Sequence, residues 1–225
     1  MPVSSGAPAA LRIDVVSDVV CPWCFIGKRR LENALTLVPD IPVDIHWRPY
    51  FLNPWIPREG IDRTTYLETK FGSVERYGAI AERVVQAATM EGLVYAPDKI
   101  SRQPNTLDCH RLILWSRSAT DPGAMKQRLM DLYFAEGGDL TDAKVLIQAA
   151  IDCGMDGDLV RRLLASDAEI DRIENEAAAA KDAGIDGVPC FVFGGSVIVT
   201  GAQSPEYLAS AIERTAAGQQ TRLRA

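Results

Sequence analysis

Two cysteines separated by two residues, in the segment Cys21-Pro22-Trp23-Cys24, constrain the fold more than any other feature of this sequence. They lie where a buried strand predicted over residues 11–17 meets a helix predicted over Lys28–Leu37. A helix N-terminus stabilises a thiolate, and Pro22 suits the first helical turn because its missing N–H is not needed there. The second thiol lies one turn along and can reach back to form a disulfide. The pattern therefore predicts reversible disulfide chemistry, with Cys21 the more exposed nucleophile and Cys24 the resolving thiol.

A structural zinc site is the main alternative for such a pair. Zinc needs four ligands, which usually come as a second spaced pair of Cys or His residues. Cys109 and His110 are adjacent and cannot form a spaced pair, so we predict a redox pair and no metal. The same argument leaves three further cysteines, which we interpret as small apolar residues of the core: Cys109, Cys153 and Cys190.

Composition excludes several classes of partner. The chain has 225 residues, a net charge of −6 and a pI near 5.0, which argues against nucleic acid or an anionic membrane. No apolar run approaches the length of a membrane span. Residues 1–10 contain no Lys or Arg and no apolar stretch, so we predict a disordered arm rather than a secretory signal. We therefore expect a cytoplasmic protein in which any disulfide is transient and catalytic.

Hydrophobic periodicity divides the chain into two predicted units. Residues 11–48 read as a β-α-β unit with parallel strands, and residues 61–183 as five to seven helices. After Gly184 we predict a hairpin turning at Gly194-Gly195, then a last helix from Ser204-Pro205 to about Ala217. The predicted fold class is α/β, a thioredoxin fold (β-α-β … β-β-α) with a large all-helical insertion between the second and third strands. The thioredoxin-like domain would comprise 11–60 and 184–225, and the insertion 61–183.

The segment 18–24 (Asp-Val-Val-Cys-Pro-Trp-Cys), followed by Ile26-Gly27, resembles the DsbA-like thioredoxin family, and its FrnE-type branch most closely. Gly187-Val188-Pro189 and Gly201-Ala202-Gln203 resemble that branch before its third strand and after its fourth. The resemblance implies a cis Val188–Pro189 bond beside the cysteine pair, with Val188 free to pair with an extended substrate. It also implies that the helix carrying Asn105 and His110 overhangs the substrate groove.

Within this resemblance, Pro22 and Trp23 are expected to tune the redox potential. Trp23 replaces the His found in DsbA, so extreme oxidising power is not expected. Asn105 is interpreted first as a helix cap, and the basic run at 28–30 as a solvated helix face.

Three functional hypotheses follow. The first is a thiol–disulfide oxidoreductase acting on protein or peptide thiols, with no bound cofactor and with glutathione or another thiol as co-substrate. The second is a glutathione-dependent isomerase or transferase on a small aromatic substrate, since 2-hydroxychromene-2-carboxylate isomerases and kappa-class glutathione transferases share the scaffold. Those enzymes carry a Ser in place of the cysteine pair, which favours the first hypothesis. The third is a non-enzymatic redox sensor or holdase. An exposed face of the insertion would be compatible with a homodimer.

Overall fold

The computed structural model describes residues 10–224. Its elements, in chain order, are β1 (Leu11–Ser17), α1 (Pro22–Leu37), β2 (Val43–Pro49), β3 (Ile61–Asp62), α2 (Arg63–Phe71), α3 (Val74–Met90), β4 (Arg102–Gln103), α4 (Leu107–Ser116), α5 (Pro122–Asp131), α6 (Ala143–Asp152), α7 (Gly157–Leu164), α8 (Ile170–Asp182), β5 (Cys190–Phe193), β6 (Val197–Thr200) and α9 (Pro205–Arg224). The arm predicted over residues 1–10 lies outside the described residues except for Ala10.

Four strands form one sheet in the order β2-β1-β5-β6. β1 and β2 are parallel and are joined through α1, whereas β5 runs antiparallel to β1 and β6 antiparallel to β5. The β5–β6 hairpin turns at Gly194 and Gly195, whose φ angles of 56° and 70° favour glycine. This order and these directions are those of the predicted thioredoxin fold.

The two faces of the sheet are covered by different helices, because alternate side chains of a strand point to opposite faces. Ile13 and Val15 are buried in the main core, to which α1 and α9 contribute. Val16 points the other way and packs with Tyr50 and Cys190 in a smaller cluster beside α8. The end of β1, where the cysteine pair begins, is therefore enclosed on both sides.

The segment between β2 and β5 is helical apart from one short ladder. β3 and β4 pair antiparallel, with Ile61 opposite Gln103. The prediction of an all-helical insertion lacked this ladder because strands of two residues carry no readable periodicity. Beside it, a separate apolar cluster forms from the following residues: Ile56, Tyr66, Leu67, Tyr77 and Ala81.

The structure corrects two details at the surface of the predicted thioredoxin unit. The prediction that residues 28–30 form a solvated basic face is wrong for Lys28, which is only 4% exposed because α5 covers it. Its ammonium group donates hydrogen bonds to Glu32 and, over 2.9 Å, to Gln127 on α5. The last helix is also longer than predicted and continues through Gly218 to Arg224.

Candidate active site

The cysteine pair lies at the N-terminus of α1, where the sequence places it. Cys21 is the N-cap residue and Pro22 the first helical residue. The Cys21 carbonyl accepts hydrogen bonds from the N–H groups of Cys24 and Phe25, over 2.9 and 3.1 Å. Both thiols are unbonded and buried, Cys21 being 4% and Cys24 1% exposed, while Trp23 between them is 39% exposed. Cys21 is therefore the more exposed thiol, as predicted, although only a small part of it reaches solvent.

The surroundings of the two thiols drive their pKa values apart. A hydrogen bond from the Cys24 thiol lowers the pKa of Cys21 most strongly, and backbone N–H groups of the helix start add to this against burial and the charge of Asp18. Burial raises the pKa of Cys24, and its interaction with Cys21 raises it further. Cys21 is therefore the group that ionises first, and Cys24 retains its proton.

A cis peptide bond joins Val188 and Pro189, immediately before β5. The Val188 carbonyl oxygen lies 3.7 Å from Cys21 Sγ, so this loop faces the nucleophile directly. On its other side, Pro189 packs against Gly27 of α1, where an added Cβ would lie 2.8 Å from Pro189 Cγ. Gly27 is thus the residue that lets the helix of the cysteine pair and the proline loop approach each other.

Asp18 and His110 form a buried pair behind Cys21. His110 Nε2 lies 3.4 Å from Asp18 Oδ1 and 3.3 Å from the Tyr50 carbonyl oxygen, and the Leu52 N–H donates to Asp18 Oδ2 over 2.8 Å. Burial alone would raise the pKa of Asp18, but the interactions with His110 and the Leu52 N–H lower it overall. Asp18 therefore remains a carboxylate, and its charge opposes ionisation of Cys21.

The resemblance implies that His110 belongs to the substrate groove, and contact of its side chain with substrate stays a prediction. The side chain is only about 3% exposed, and its ring is directed at Asp18 and covered by Phe51, whose ring centroid is 5.7 Å away. Its position makes it a partner of the Asp18 carboxylate. One local signal indicates such a pair, namely a carboxylate three residues before the first cysteine, at the end of a buried strand.

A groove of about 550 Å³ lies between the segment after β2, the start of α4, and α8. Asn53 in its lining is 6% exposed, and within the described residues its Nδ2 has no hydrogen-bond partner. Its Oδ1 accepts a hydrogen bond from Lys70 Nζ over 2.5 Å. Burial lowers the pKa of Lys70, while the charges of Cys21 and Asp18 act in the opposite direction. Its charged lining residues are Arg58, Glu174 and Lys181.

Asn105 also lines this groove, but its side chain is already engaged. Its Oδ1 accepts a hydrogen bond from the Leu107 N–H over 2.9 Å, and its Nδ2 donates to the Ile56 carbonyl over 2.8 Å. The capping interpretation is therefore confirmed. The Asn105 side chain caps the N–H of Leu107, the first residue of α4, while Thr106 occupies the N-cap position. Contact of Asn105 with substrate stays a prediction.

The three remaining cysteines differ in exposure. Cys109 and Cys190 are fully buried, as predicted, whereas Cys153 is partly exposed. Burial raises the pKa of each of these three thiols. Among residues 10–224 no cluster of three or more His, Cys, Asp or Glu side chains has the arrangement of a metal site. No helix in the same range has the length and apolar character needed to span a membrane.

Comparison with known proteins identifies the family. The sequence model of the DSBA-like thioredoxin domain matches residues 12–213, nearly the whole chain. The chain belongs to the DsbA-like thioredoxin family. The match spans the cysteine pair, all the inserted helices and the Val188–Pro189 loop, and it confirms the resemblance to the DsbA-like thioredoxin family.

Two solved structures and one sequence relative are similar to this chain over most of its length. A probable DsbA oxidoreductase from Streptomyces coelicolor, SCO1869, is 30% identical and superposes with a TM-score of 0.82, covering 91% of this chain and 89% of its own. The Bacillus subtilis (strain 168) protein YwbO is 25% identical over 190 residues, which are 84% of this chain and 89% of YwbO. The cytosolic disulfide reductase DsbM from Pseudomonas aeruginosa, solved with glutathione, has a TM-score of 0.61 at 15% identity, covers 95% of this chain and is itself covered in full. The last likeness concerns the fold alone.

Proposed function

We propose that this protein is a thiol–disulfide oxidoreductase of the FrnE type that exchanges disulfides with protein or peptide thiols through Cys21 and Cys24. The observation that supports this most directly is the geometry around Cys21. Its thiol lies at a helix N-terminus, its pKa is lowered, and it faces the carbonyl of Val188 at 3.7 Å. A nucleophilic thiolate beside an accessible backbone segment is what attack on a substrate disulfide requires.

The reaction proceeds in two exchange steps. The Cys21 thiolate attacks one sulfur of the substrate disulfide, forms a mixed disulfide and releases the other substrate sulfur as a thiolate. Cys24 then loses its proton and attacks Cys21 Sγ, which forms the Cys21–Cys24 disulfide and releases the second substrate thiolate. The enzyme is oxidised by two electrons and the substrate is reduced by two. The reverse sequence oxidises a substrate dithiol.

Substrate recognition is proposed to involve the loop at Val188. Val188 lies two residues before the first residue of β5, so an extended substrate segment running past Cys21 could pair with its backbone as an added strand. Trp23 is the exposed aromatic residue between the two thiols and would contact the same segment. Pro22 and Trp23 then set the environment of the thiolate, and with it the redox potential.

The groove that Asn53 and Asn105 line is proposed to receive a polar part of the substrate or of a thiol co-substrate such as glutathione. Arg58 and Lys181 bring positive charge to its lining, beside the carboxylate of Glu174. A carboxylate-bearing peptide thiol fits this combination of donors and charges. We further propose that the protein works in the reducing environment of the cytoplasm, where a Cys21–Cys24 disulfide is transient.

The test is trapping of the mixed disulfide. With a peptide disulfide as substrate, Cys24→Ser should accumulate a covalent adduct at Cys21, visible as a mass increase on the intact protein. Cys21→Ser should form no adduct and show no turnover. Cys153→Ser is the matched control, because it removes a partly exposed thiol outside the site and should turn over at the native rate. Turnover retained by Cys21→Ser would rule the proposal out.

The isomerase hypothesis makes the opposite prediction for the same variants. In such an enzyme glutathione supplies the sulfur, so a Cys21→Ser/Cys24→Ser double variant would still bind glutathione and convert an aromatic substrate. Isothermal titration of the double variant with glutathione, followed by an isomerase assay, separates the two hypotheses. We expect isomerase activity neither in the native protein nor in the double variant.

A further inference from the structure

A lysine of the inserted helices is buried against the cysteine-bearing helix and has no assigned function in the exchange reaction. Lys126 on α5 is only 1% exposed. Burying an ammonium group is costly unless an anion compensates it. Yet within residues 10–224 no carboxylate lies at ion-pair distance from its Nζ, and the nearby Asp18 carboxylate is engaged with His110.

Contacts around one indole ring bring Lys126 toward the helix that carries the resolving thiol. Lys28 lies one helical turn after Cys24 on α1, so the two share a face. Lys28 Nζ donates to Gln127, the neighbour of Lys126 on α5, over 2.9 Å. The ammonium groups of Lys28 and Lys126 both lie near the indole ring of Trp47, at 5.9 and 5.4 Å from its centroid. Lys126 and the α1 face that carries Cys24 and Lys28 therefore meet at Trp47.

The electrostatic coupling between the two groups runs in both directions. Burial raises the pKa of Cys24, and the positive charge of Lys126 partly lowers it again. Burial lowers the pKa of Lys126 to about 8, and negative charge on Cys24 would raise it. The other charged or titratable groups near Lys126 are Cys21 and Lys28 of the cysteine helix, Asp18 before it, Arg48 on β2, Cys109, His110 and Arg117 on or just after α4, and Glu176 on α8.

We propose that Lys126 supplies the positive charge that stabilises the Cys24 thiolate while it resolves the mixed disulfide. In the resting enzyme the ammonium group has no anionic partner. When Cys24 gives up its proton, the thiolate becomes that partner until it forms the bond to Cys21 Sγ and releases the substrate thiolate. In the reverse reaction Lys126 stabilises Cys24 as the leaving thiolate. The inference rests on the proposed function, because it concerns the second exchange step.

Stopped-flow kinetics separate the two steps. Reduced protein is mixed with excess hydroxyethyl disulfide, and tryptophan fluorescence follows an attack step that depends on disulfide concentration and a resolution step that does not. Lys126→Met should slow resolution at pH 7 by about tenfold or more, since a nearby opposite charge shifts a thiol pKa by about one unit or more. Attack by Cys21 should change much less. Lys126→Arg retains the charge and should restore most of the resolution rate.

Lys144→Met is the control for loss of a lysine charge. It removes an exposed lysine of the inserted helices, on α6. Resolution should stay near the native rate. A native resolution rate in Lys126→Met, or Lys126→Arg as slow as Lys126→Met, would overturn the proposal.

A pH profile of the native protein tests the same idea without relying on any Lys126 variant to fold. Below pH 8 the resolution rate should rise about tenfold per pH unit as Cys24 ionises beside the charged lysine. Above pH 8 the resolution rate should level off. As the fraction of Cys24 thiolate increases, the fraction of charged Lys126 decreases by the same factor, so the amount of protein carrying both stays constant. A rate that keeps rising tenfold per unit to pH 10 contradicts the proposal. If even the attack step is absent, the proposed function fails rather than the role of Lys126.

Discussion

Gly27 offers the sharpest test of how the proline loop is held against the cysteine helix. It lies inside α1, where glycine normally weakens a helix and alanine would strengthen it by about 1 kcal/mol. An alanine Cβ at this position would lie 2.8 Å from Pro189 Cγ and 3.4 Å from Phe191 Cζ. The first distance is shorter than any carbon–carbon contact in a packed core, so the proline loop or the helix must move.

The expected sign for Gly27→Ala follows from comparing two effects. Overpacking a close contact costs about 1–3 kcal/mol, which exceeds or cancels the propensity gain of about 1 kcal/mol. We expect a net loss of up to about 2 kcal/mol in the free energy of unfolding. Gly78 is the matched control, since it is also inside a helix, α3, and an added Cβ there meets nothing within 4 Å. Gly78→Ala should therefore be stabilised by about 1 kcal/mol.

Urea unfolding of the two alanine variants and the native protein measures both changes. Because Pro189 adjoins Val188, displacement of the loop should also alter the rate at which iodoacetamide modifies Cys21, and Gly78→Ala should leave that rate unchanged. Equal stabilisation by the two substitutions, with native Cys21 reactivity in both, would refute the inferred close contact.

Three further predictions concern charge in the core and at the site. At pH 7 iodoacetamide should modify Cys21 and spare Cys24, because the pKa of Cys21 is lowered and that of Cys24 is raised. Peptide mapping measures the labelling of each thiol, and preferential labelling of Cys24 would contradict the prediction. The pKa of Asp18 is lower in the folded protein than in the unfolded chain, where it is about 3.9. The ionised carboxylate therefore stabilises the fold above about pH 3.9, and this stabilisation is lost as the pH falls through the pKa of the folded protein. Asp18→Asn should therefore reduce the loss of unfolding free energy at acid pH. An unchanged pH dependence of the unfolding free energy would contradict this prediction. Arg111 is 0% exposed and donates hydrogen bonds to the backbone carbonyls of Leu163, Ser166 and Ala168. Arg111→Met should therefore lower the free energy of unfolding in urea by at least about 3 kcal/mol, and a loss below about 1 kcal/mol would refute this prediction.

The thioredoxin frame could be predicted from the sequence because its signals are local. Alternation along β1 and β2, the glycine pair of the hairpin and the Cys-x-x-Cys spacing each depend on neighbouring residues. The cis Val188–Pro189 bond came from the family resemblance rather than from any local pattern, and the structure has it.

The interior of the site could not be predicted, since it depends on contacts between distant segments. Lys28 follows the cysteine pair in a basic run and looks solvated, yet it is covered by α5, about a hundred residues further along. Lys126 sits in a stripe of apolar helix residues, and nothing local marks it as lying against α1. The family resemblance places His110 at the groove, but its pairing with Asp18 depends on the segment after β2, which contacts both residues.

An equilibrium redox titration tests the central claim most directly. The protein would be equilibrated in glutathione buffers of increasing oxidation and followed by tryptophan fluorescence, Trp23 being the indole between the two thiols. We predict one two-electron transition with a potential between about −270 and −120 mV, absent in Cys24→Ser and unchanged in Cys153→Ser. If the native protein shows no such transition, Cys21 and Cys24 are not a working redox pair and the proposed function is wrong.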